Sequence, residues 1–335
     1  MASAPLELRL GTRGSQLALW QANAVASRMA ERGGPPCRIV VIKTSGDALA
    51  DRPLSEAGGK RLFVKEIEDA LLRHDVDLAV HSSKDMPAVL PQGLTIAGVL
   101  PREDPLDAVI LPRAEGKGLR AEGSGLAALS LEPLALQDLI ARLGPAPNIG
   151  TGSVRRIAQL SAVLAGARFA PIRGNLDTRL RKLDGGDHDA LVLAAAGLRR
   201  LGLASRITMT LPASACVPSP GQGIVAIEIR ANDEAVRQAV SRIDDADAHV
   251  ALEAERALVE ALGGGCQTPI GALATPLDAG TLELVTAVAA LDGSRIVRAT
   301  ASGPRGDAAA IGARAGRQMI EQGAGAILAE AQTRA

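Results

Sequence analysis

The feature that most limits what this chain can become is its alternation of short apolar strands with helical stretches. Each strand runs out into a polar or glycine-containing turn. Residues 6–10 and 39–44 read as strands on either side of a helix at about 15–31. A strand at 77–81 follows a helix at about 64–73, in which Val64, Ile67 and Leu71 share one face. The rhythm returns at Asn148, with a glycine turn, a helix over 153–165 and a strand at 168–171. A helix over 177–183 and an apolar strand at 190–195 continue it. This alternation predicts an α/β fold with a largely parallel sheet. After Asp244 the pattern becomes a helix over 248–262, strands at 281–291 and 294–302, and a helix over 307–322. That stretch reads as a smaller α+β unit. The segment 112–147, with Gly116, Gly118, Gly123, Gly125, Pro145 and Pro147, reads as an insertion or a loop with a short helix that does no chemistry. At 335 residues the chain has room for two or three domains.

The core must be built from Leu, Val, Ile and Ala, because Trp20, Phe63 and Phe169 are the only aromatic residues. Stacking of bases on aromatic platforms is thereby excluded as the main activity. Lys+Arg and Asp+Glu both number 37, so no whole-chain basic field points to nucleic acid. The charge is nevertheless uneven. Residues 148–206 hold ten basic against four acidic side chains, a formal +6, and residues 231–262 carry −5. Solvated helix faces account for part of this; a basic cleft is the sharper reading. Of the 37 basic residues 31 are Arg, which fits either genome composition or paired gripping of carboxylates. Cys37, Cys216 and Cys266 stand far apart, against a disulfide framework and for a reducing compartment. The histidines show no metal-ligand spacing, so no metal is expected. Glu7 and Arg9 interrupt any leader-like run, and no apolar stretch is long enough for a membrane span. A soluble, cytoplasmic protein is the expectation.

Three local patterns could carry chemistry. Ile149-Gly150-Thr151-Gly152-Ser153-Val154-Arg155-Arg156 places a glycine turn between a strand and a helix, where free N–H groups, Ser153 and two arginines suit an anion. Arg173-Gly174-Asn175-Leu176-Asp177-Thr178-Arg179 repeats that logic. His81-Ser82-Ser83-Lys84-Asp85-Met86-Pro87 gathers ionisable groups at a strand's C-terminal end, where ligands bind in open α/β sheets. A plain polar turn closed by Pro87 would also produce it. Cys266, behind Gly263-Gly264-Gly265, is either a small buried hydrophobe or an exposed nucleophile or attachment point.

In this order the motifs closely resemble the porphobilinogen deaminase (hydroxymethylbilane synthase) family. The likeness runs through Gly11-Thr12-Arg13-Gly14-Ser15, residues 58–66, residues 81–87, Arg102-Glu103-Asp104-Pro105, residues 149–156, Arg173-Gly174-Asn175, Pro220-Gly221-Gln222-Gly223 and residues 265–271. It covers nearly the whole chain except 112–147.

The resemblance implies three α/β domains. The first two resemble periplasmic-binding-protein lobes around a cleft, and the third, smaller α+β domain carries the cysteine. Here they would be 1–105 with 224–243, 106–223, and 244–335. It implies a dipyrromethane cofactor held by Cys266 through a thioether, and four porphobilinogen units added head to tail with loss of ammonia. Hydrolysis then releases hydroxymethylbilane for uroporphyrinogen-III synthase. Asp85 matches the family's catalytic carboxylate, protonating the leaving amine and countering the azafulvenium cation. Ser82, Lys84, Asp85, Ser153, Arg155 and Arg156 would hold the cofactor. Arg13, Ser15, Lys60, Phe63, Arg173, Arg179, Arg200 and Gln222 would bind substrate. Gly152 stands where many members have Ser, which removes one hydroxyl contact. A monomer is implied. Two other classes fit parts of the pattern: a non-catalytic two-lobed receptor for an anion, and a Schiff-base enzyme using Lys60 or Lys84.

Overall fold

The computed structural model describes residues 7–45, 64–113, 136–264 and 268–334. The first stretch builds strand β1 (Leu8–Thr12), helix α1 (Gln16–Glu31), strand β2 (Cys37–Val41), helix α2 (Lys65–Leu72), and strands β3 (Leu78–Ser82) and β4 (Leu94–Val99). The chain then crosses into a second lobe. There it forms β5 (Asp107–Ile110), α3 (Leu136–Leu143), β6 (Asn148–Gly150), α4 (Val154–Ser161) and β7 (Arg168–Ala170). α5 (Leu176–Asp184), β8 (Ala190–Ala194), α6 (Ala195–Arg200) and β9 (Met209–Thr210) follow. It returns through β10 (Val225–Arg230) and α7 (Glu234–Val240). The third unit is α8 (Ala246–Ala261), β11 (Ile270–Pro276), β12 (Thr281–Ala289), β13 (Ile296–Pro304), α9 (Ala308–Glu321) and α10 (Ala324–Arg334).

The two lobes share one sheet plan. Their orders are β2-β1-β3-β10-β4 and β7-β6-β8-β5-β9. In each, three parallel strands are followed by a strand that has come from the other lobe. β10 runs antiparallel to β3 and β4, and β5 runs antiparallel to β8 and β9. The expectation of a largely parallel sheet is therefore corrected. The inserted strand enters each sheet from the opposite direction and leaves half of the pairings antiparallel.

Both faces of each lobe sheet are covered, which is why the strands read as apolar runs. In β8, Ala190 and Val192 pack with Leu139, Leu143 and Leu160 on one face, while Leu191 and Leu193 pack with Leu180, Leu183 and Leu198 on the other. Leu139 and Leu143 belong to α3, so part of the segment read as an insertion is core; residues 114–135 lie outside the described residues. In the first lobe, Leu8, Leu10, Val225, Ile227 and Ile229 meet Ala22, Val25 and Met29 of α1. The third unit packs α8, α9 and α10 on its antiparallel sheet β11-β12-β13. Gly312 and Gly316 let α9 approach α8 closely: a Cβ at 312 would lie 2.1 Å from the Ala254 carbonyl oxygen. Ala248 and Leu252 of α8 then share a cluster with Met86 and Val99 of the first lobe.

Two crossings, residues 100–106 and 211–224, join the lobes side by side. The Glu103 N–H donates to the Gly223 carbonyl at 3.0 Å. The Arg102 Nε donates to the Gln222 carbonyl at 2.9 Å, and the Gln222 Nε2 to the Pro105 carbonyl at 2.7 Å. Gly223 has φ +87°, and a Cβ there would lie 2.2 Å from the Glu103 carbonyl oxygen. Only glycine permits this approach.

Candidate active site

β3 ends in a 3-10 turn, Ser83–Asp85, at the C-terminal edge of the first lobe's sheet. The turn is fixed from both sides. The Ser83 N–H donates to the Ile224 carbonyl at 3.0 Å, and the Met86 N–H to the Ser83 carbonyl at 3.1 Å. Gly221, at φ +73°, packs so closely that a Cβ would stand 2.6 Å from Ser83 Oγ. His81, one residue before Ser82, turns inward, its Nε2 3.1 Å from Glu228 Oε2 with both side chains buried. Lys84 and Asp85 are left half-buried at the sheet edge. Lys84 Nζ donates to Gln222 Oε1 at 3.4 Å. Burial, aided by repulsion from Arg156 and Arg155 and opposed by Asp85 and Asp107, brings the Lys84 ammonium down to about 8.

Across the crossings, the second lobe contributes α4. Ser153 caps it, its Oγ accepting from the Arg156 N–H at 3.4 Å. Arg155 and Arg156 are 3% and 7% exposed. Both converge on Asp107, which opens β5 and is fully buried. Arg155 Nη1 donates to Asp107 Oδ2 at 2.7 Å, and Arg156 Nε to Oδ1 at 2.9 Å. Gln222 Nε2 adds a third donor to Oδ1 at 2.9 Å. Burial pushes the Asp107 carboxyl up, but Arg155 and Arg156 outweigh it and hold the group far below the usual carboxylate range. The neighbouring Cys216 thiol is driven up to about 12, first by burial, and is inert. One carboxylate thus faces two guanidinium groups in a dry interior, and the surplus is positive. Asp107 had no place in the sequence reading; its one signal is a lone acid at the head of an apolar strand.

Arg179, on α5, donates from Nε to the Gly174 carbonyl at 2.9 Å. Burial lowers its pKa, Arg156 and Arg173 lower it further, and Asp85 opposes them. Asp85 of one lobe and Arg156, Arg173 and Arg179 of the other therefore share one field. Arg200, at the end of α6, donates from Nη2 to the Gly223 carbonyl at 2.7 Å, and its Cζ lies over the Trp20 ring of α1, 5.5 Å from the centroid. Burial brings its guanidinium down to about 10. Arg13 is half-buried in the turn between β1 and α1. An open pocket runs from Ser83, Lys84 and Met86 past Ser219 to Thr268 and Ile270 of the third unit.

Several residues expected to contact ligand also have local partners. Ser15 caps α1, its Oγ accepting from the Ala18 N–H at 3.3 Å. Ser82 Oγ accepts from Gln21 Nε2 at 2.8 Å. Gln222, expected to bind substrate, is 1% exposed. Its amide joins Pro105 and Asp107, and its oxygen faces Lys84 and Arg156. Arg155 is likewise turned onto Asp107 and the Val217 carbonyl. Lys60, Phe63 and Cys266 lie outside the described residues. Among the described residues no cluster of His, Cys, Asp and Glu could hold a metal ion.

Two family models match the chain. One, described as porphobilinogen deaminase, dipyromethane cofactor binding domain, covers residues 8–238, and the other, its C-terminal domain, covers 250–321. The chain is 45% identical over 325 residues to the porphobilinogen deaminase of Syntrophobacter fumaroxidans, covering 96% of this chain and 97% of that one. It is 42% identical over 332 residues to that of Geobacter metallireducens, covering 99% and 96%. It is 43% identical over 328 residues to that of Pelotomaculum thermopropionicum, covering 97% of each.

Proposed function

The chain belongs to the porphobilinogen deaminase family, and on that premise we propose how its cleft does the family's chemistry. The activity is that of a transferase in tetrapyrrole biosynthesis. It condenses porphobilinogen units head to tail with loss of ammonia and releases hydroxymethylbilane by hydrolysis. When bound, the dipyrromethane supplies the pyrrole end to which the first unit is joined.

The observation that carries our reading is Asp85 set beside Lys84 in a field of surplus positive charge. Pyrroles bearing acetate and propionate arms suit such a donor set. Among the described residues Arg155 Nε is buried with no hydrogen-bond partner, and Lys84 is an ammonium whose charge burial opposes. Incoming carboxylates neutralise charge that the folded chain leaves uncompensated. Lys84, Arg156 and the Ser153 turn would hold the cofactor's arms. Arg13, Arg173, Arg179 and Arg200 would hold the substrate's. Asp85 gives a proton to the leaving amine of porphobilinogen and, as carboxylate, steadies the cation left behind. The same oxygen can then take the proton from the carbon at which the new bond has formed. Cys266, eleven residues beyond Glu255 of α8, would tether the cofactor. The pocket reaching Thr268 supports a tether from that side.

We take the working units to be 1–105 with 224–243, 106–223, and 244–335. We also propose a cytoplasmic monomer whose product passes to uroporphyrinogen-III synthase. The sparse, free thiols Cys37 and Cys216 support a reducing compartment. No described helix is long and apolar enough to cross a membrane.

Asp85→Asn should leave the thermal melt unchanged and reduce ammonia release by at least about 10²-fold. Near-normal turnover would overturn the assignment. Cys266→Ser should lack the covalent dipyrrole in an intact-mass spectrum; finding it there would refute the tether.

A further inference from the structure

Trp20 is the only tryptophan in a chain without tyrosine, and it is not a core residue. It is 40% exposed on α1, at the boundary with the second lobe. α6 abuts α1 there: a Cβ on Gly197 would lie 3.7 Å from Leu17 Cδ2. Over the indole sits the Arg200 guanidinium, 5.5 Å from the ring centroid.

The two arginines ending α6 are treated differently. Arg199 is ion-paired, 3.1 Å from Asp104 and 3.9 Å from Glu103. Among the described residues Arg200 makes one hydrogen bond, to the Gly223 carbonyl. Among the described residues it has no ion-pair partner within 4.0 Å. Glu103 acts on Arg200 only from beyond ion-pair distance, and a half-buried guanidinium without a close carboxylate is costly unless something else supports its charge. The face of an indole does this through its quadrupole, and a stacked guanidinium keeps donors free at its edge. The ring also fixes the plane of a side chain that would otherwise sample many rotamers.

We propose that Trp20 is a positioning residue for substrate. It holds Arg200 flat across the lobe boundary so that the free guanidinium edge meets a pyrrole carboxylate. This rests on the reading of Arg200 as a substrate-binding residue. Acting through Arg200, Trp20 should influence binding rather than the bond-making step.

The test uses the holoenzyme with three side chains at position 20. Trp20→Leu removes the π face and should raise KM for porphobilinogen roughly three- to tenfold, with kcat nearly unchanged. Trp20→Phe keeps a flat ring and should restore most of the affinity. Trp20 is also the sole indole emitter, so porphobilinogen should change the wild-type emission, and the response should be lost in Arg200→Leu. Wild-type KM in Trp20→Leu, equal losses in Trp20→Leu and Trp20→Phe, or an emission indifferent to substrate would each overturn the proposal. Absence of porphobilinogen turnover in the wild type would instead remove the functional reading beneath it.

Discussion

Glu255 and Arg102 form an ion pair at 2.6 Å in which the carboxylate is fully buried. Glu255 comes from α8 of the third unit and Arg102 from the first crossing between the lobes. The same carboxylate accepts from the Gly221 N–H of the second crossing at 2.6 Å and from the Ala274 N–H of β11 at 2.8 Å. One side chain thus ties both crossings to the third unit. Arg102 passes the tie on through its bond to the Gln222 carbonyl, and Gln222 faces Lys84 and Arg156. Glu255→Leu leaves a largely buried guanidinium and two backbone donors without their acceptor. We expect a loss of about 3–5 kcal/mol in urea unfolding, and a smaller loss for Glu255→Gln.

Asp107 is the counter-charge on which two buried arginines depend. Asp107→Asn should cost about 3–5 kcal/mol and lower the thermal midpoint by several degrees. The wild-type carboxyl is depressed in the folded state, so its stabilisation is complete above the unfolded pKa of about 3.9 and is lost as pH falls further. Acid titration of the melt should therefore show a weaker dependence below that pH in Asp107→Asn than in the wild type.

Lys84 gives a pH signature of opposite kind. Burial, the larger cause, lowers its pKa to about 8, so the free enzyme loses this positive charge as pH rises through that value. Uptake of the cofactor's carboxylates by the cofactor-free chain should therefore weaken as pH rises past about 8, and Lys84→Arg should move that limit upward. The linkage to stability also has a definite sign. A lysine with a lowered folded pKa opposes folding while charged, and that penalty fades between about 8 and the unfolded value near 10.4.

Gly223→Ala tests the contact between the crossings. Its positive φ and the Glu103 carbonyl, 2.2 Å from the added methyl carbon, leave no room for a side chain. The variant should lose more than about 1 kcal/mol, and activity beyond what that loss explains, because Gln222 is the next residue. A melt and a turnover assay on the same preparation check both parts.

What was legible in the sequence was local. Short apolar runs such as residues 190–194 and capped helices such as α5, where Asn175 accepts from the Thr178 N–H, announce themselves within a few residues. β5 and β10 did not, because their partners come from the opposite half of the chain. Nor did β11, whose run Ile270–Pro276 holds Gly271, Ala272 and Ala274 rather than a β-branched pattern. The site was legible as a set of residue types. Lys84, Asp85 and Arg179 do face one another electrostatically. Ser15, Ser82 and Gln222 carry the right chemistry near the cleft, but hydrogen bonds to helix ends and neighbours engage them first. Asp107 and Glu255 could not be found by motif, since what marks them is burial against arginines 48 and 153 positions away.

The exchange of strands between the lobes has a consequence for the newborn chain. As the polypeptide leaves the ribosome, β1 to β4 are finished more than a hundred residues before β10 exists. Until then β3 presents an open ladder edge in the middle of a future sheet, next to the turn that bears Asp85. The second lobe, by contrast, receives β5 before its other strands and can close as it is made. The carboxylate proposed to act on substrate therefore waits on the later half of the chain, and an incomplete product lacks half of the proposed cleft. Such long-range closure is slow and leaves an edge open to misassembly, so early truncation or stalled synthesis should yield aggregation rather than a partly active fragment.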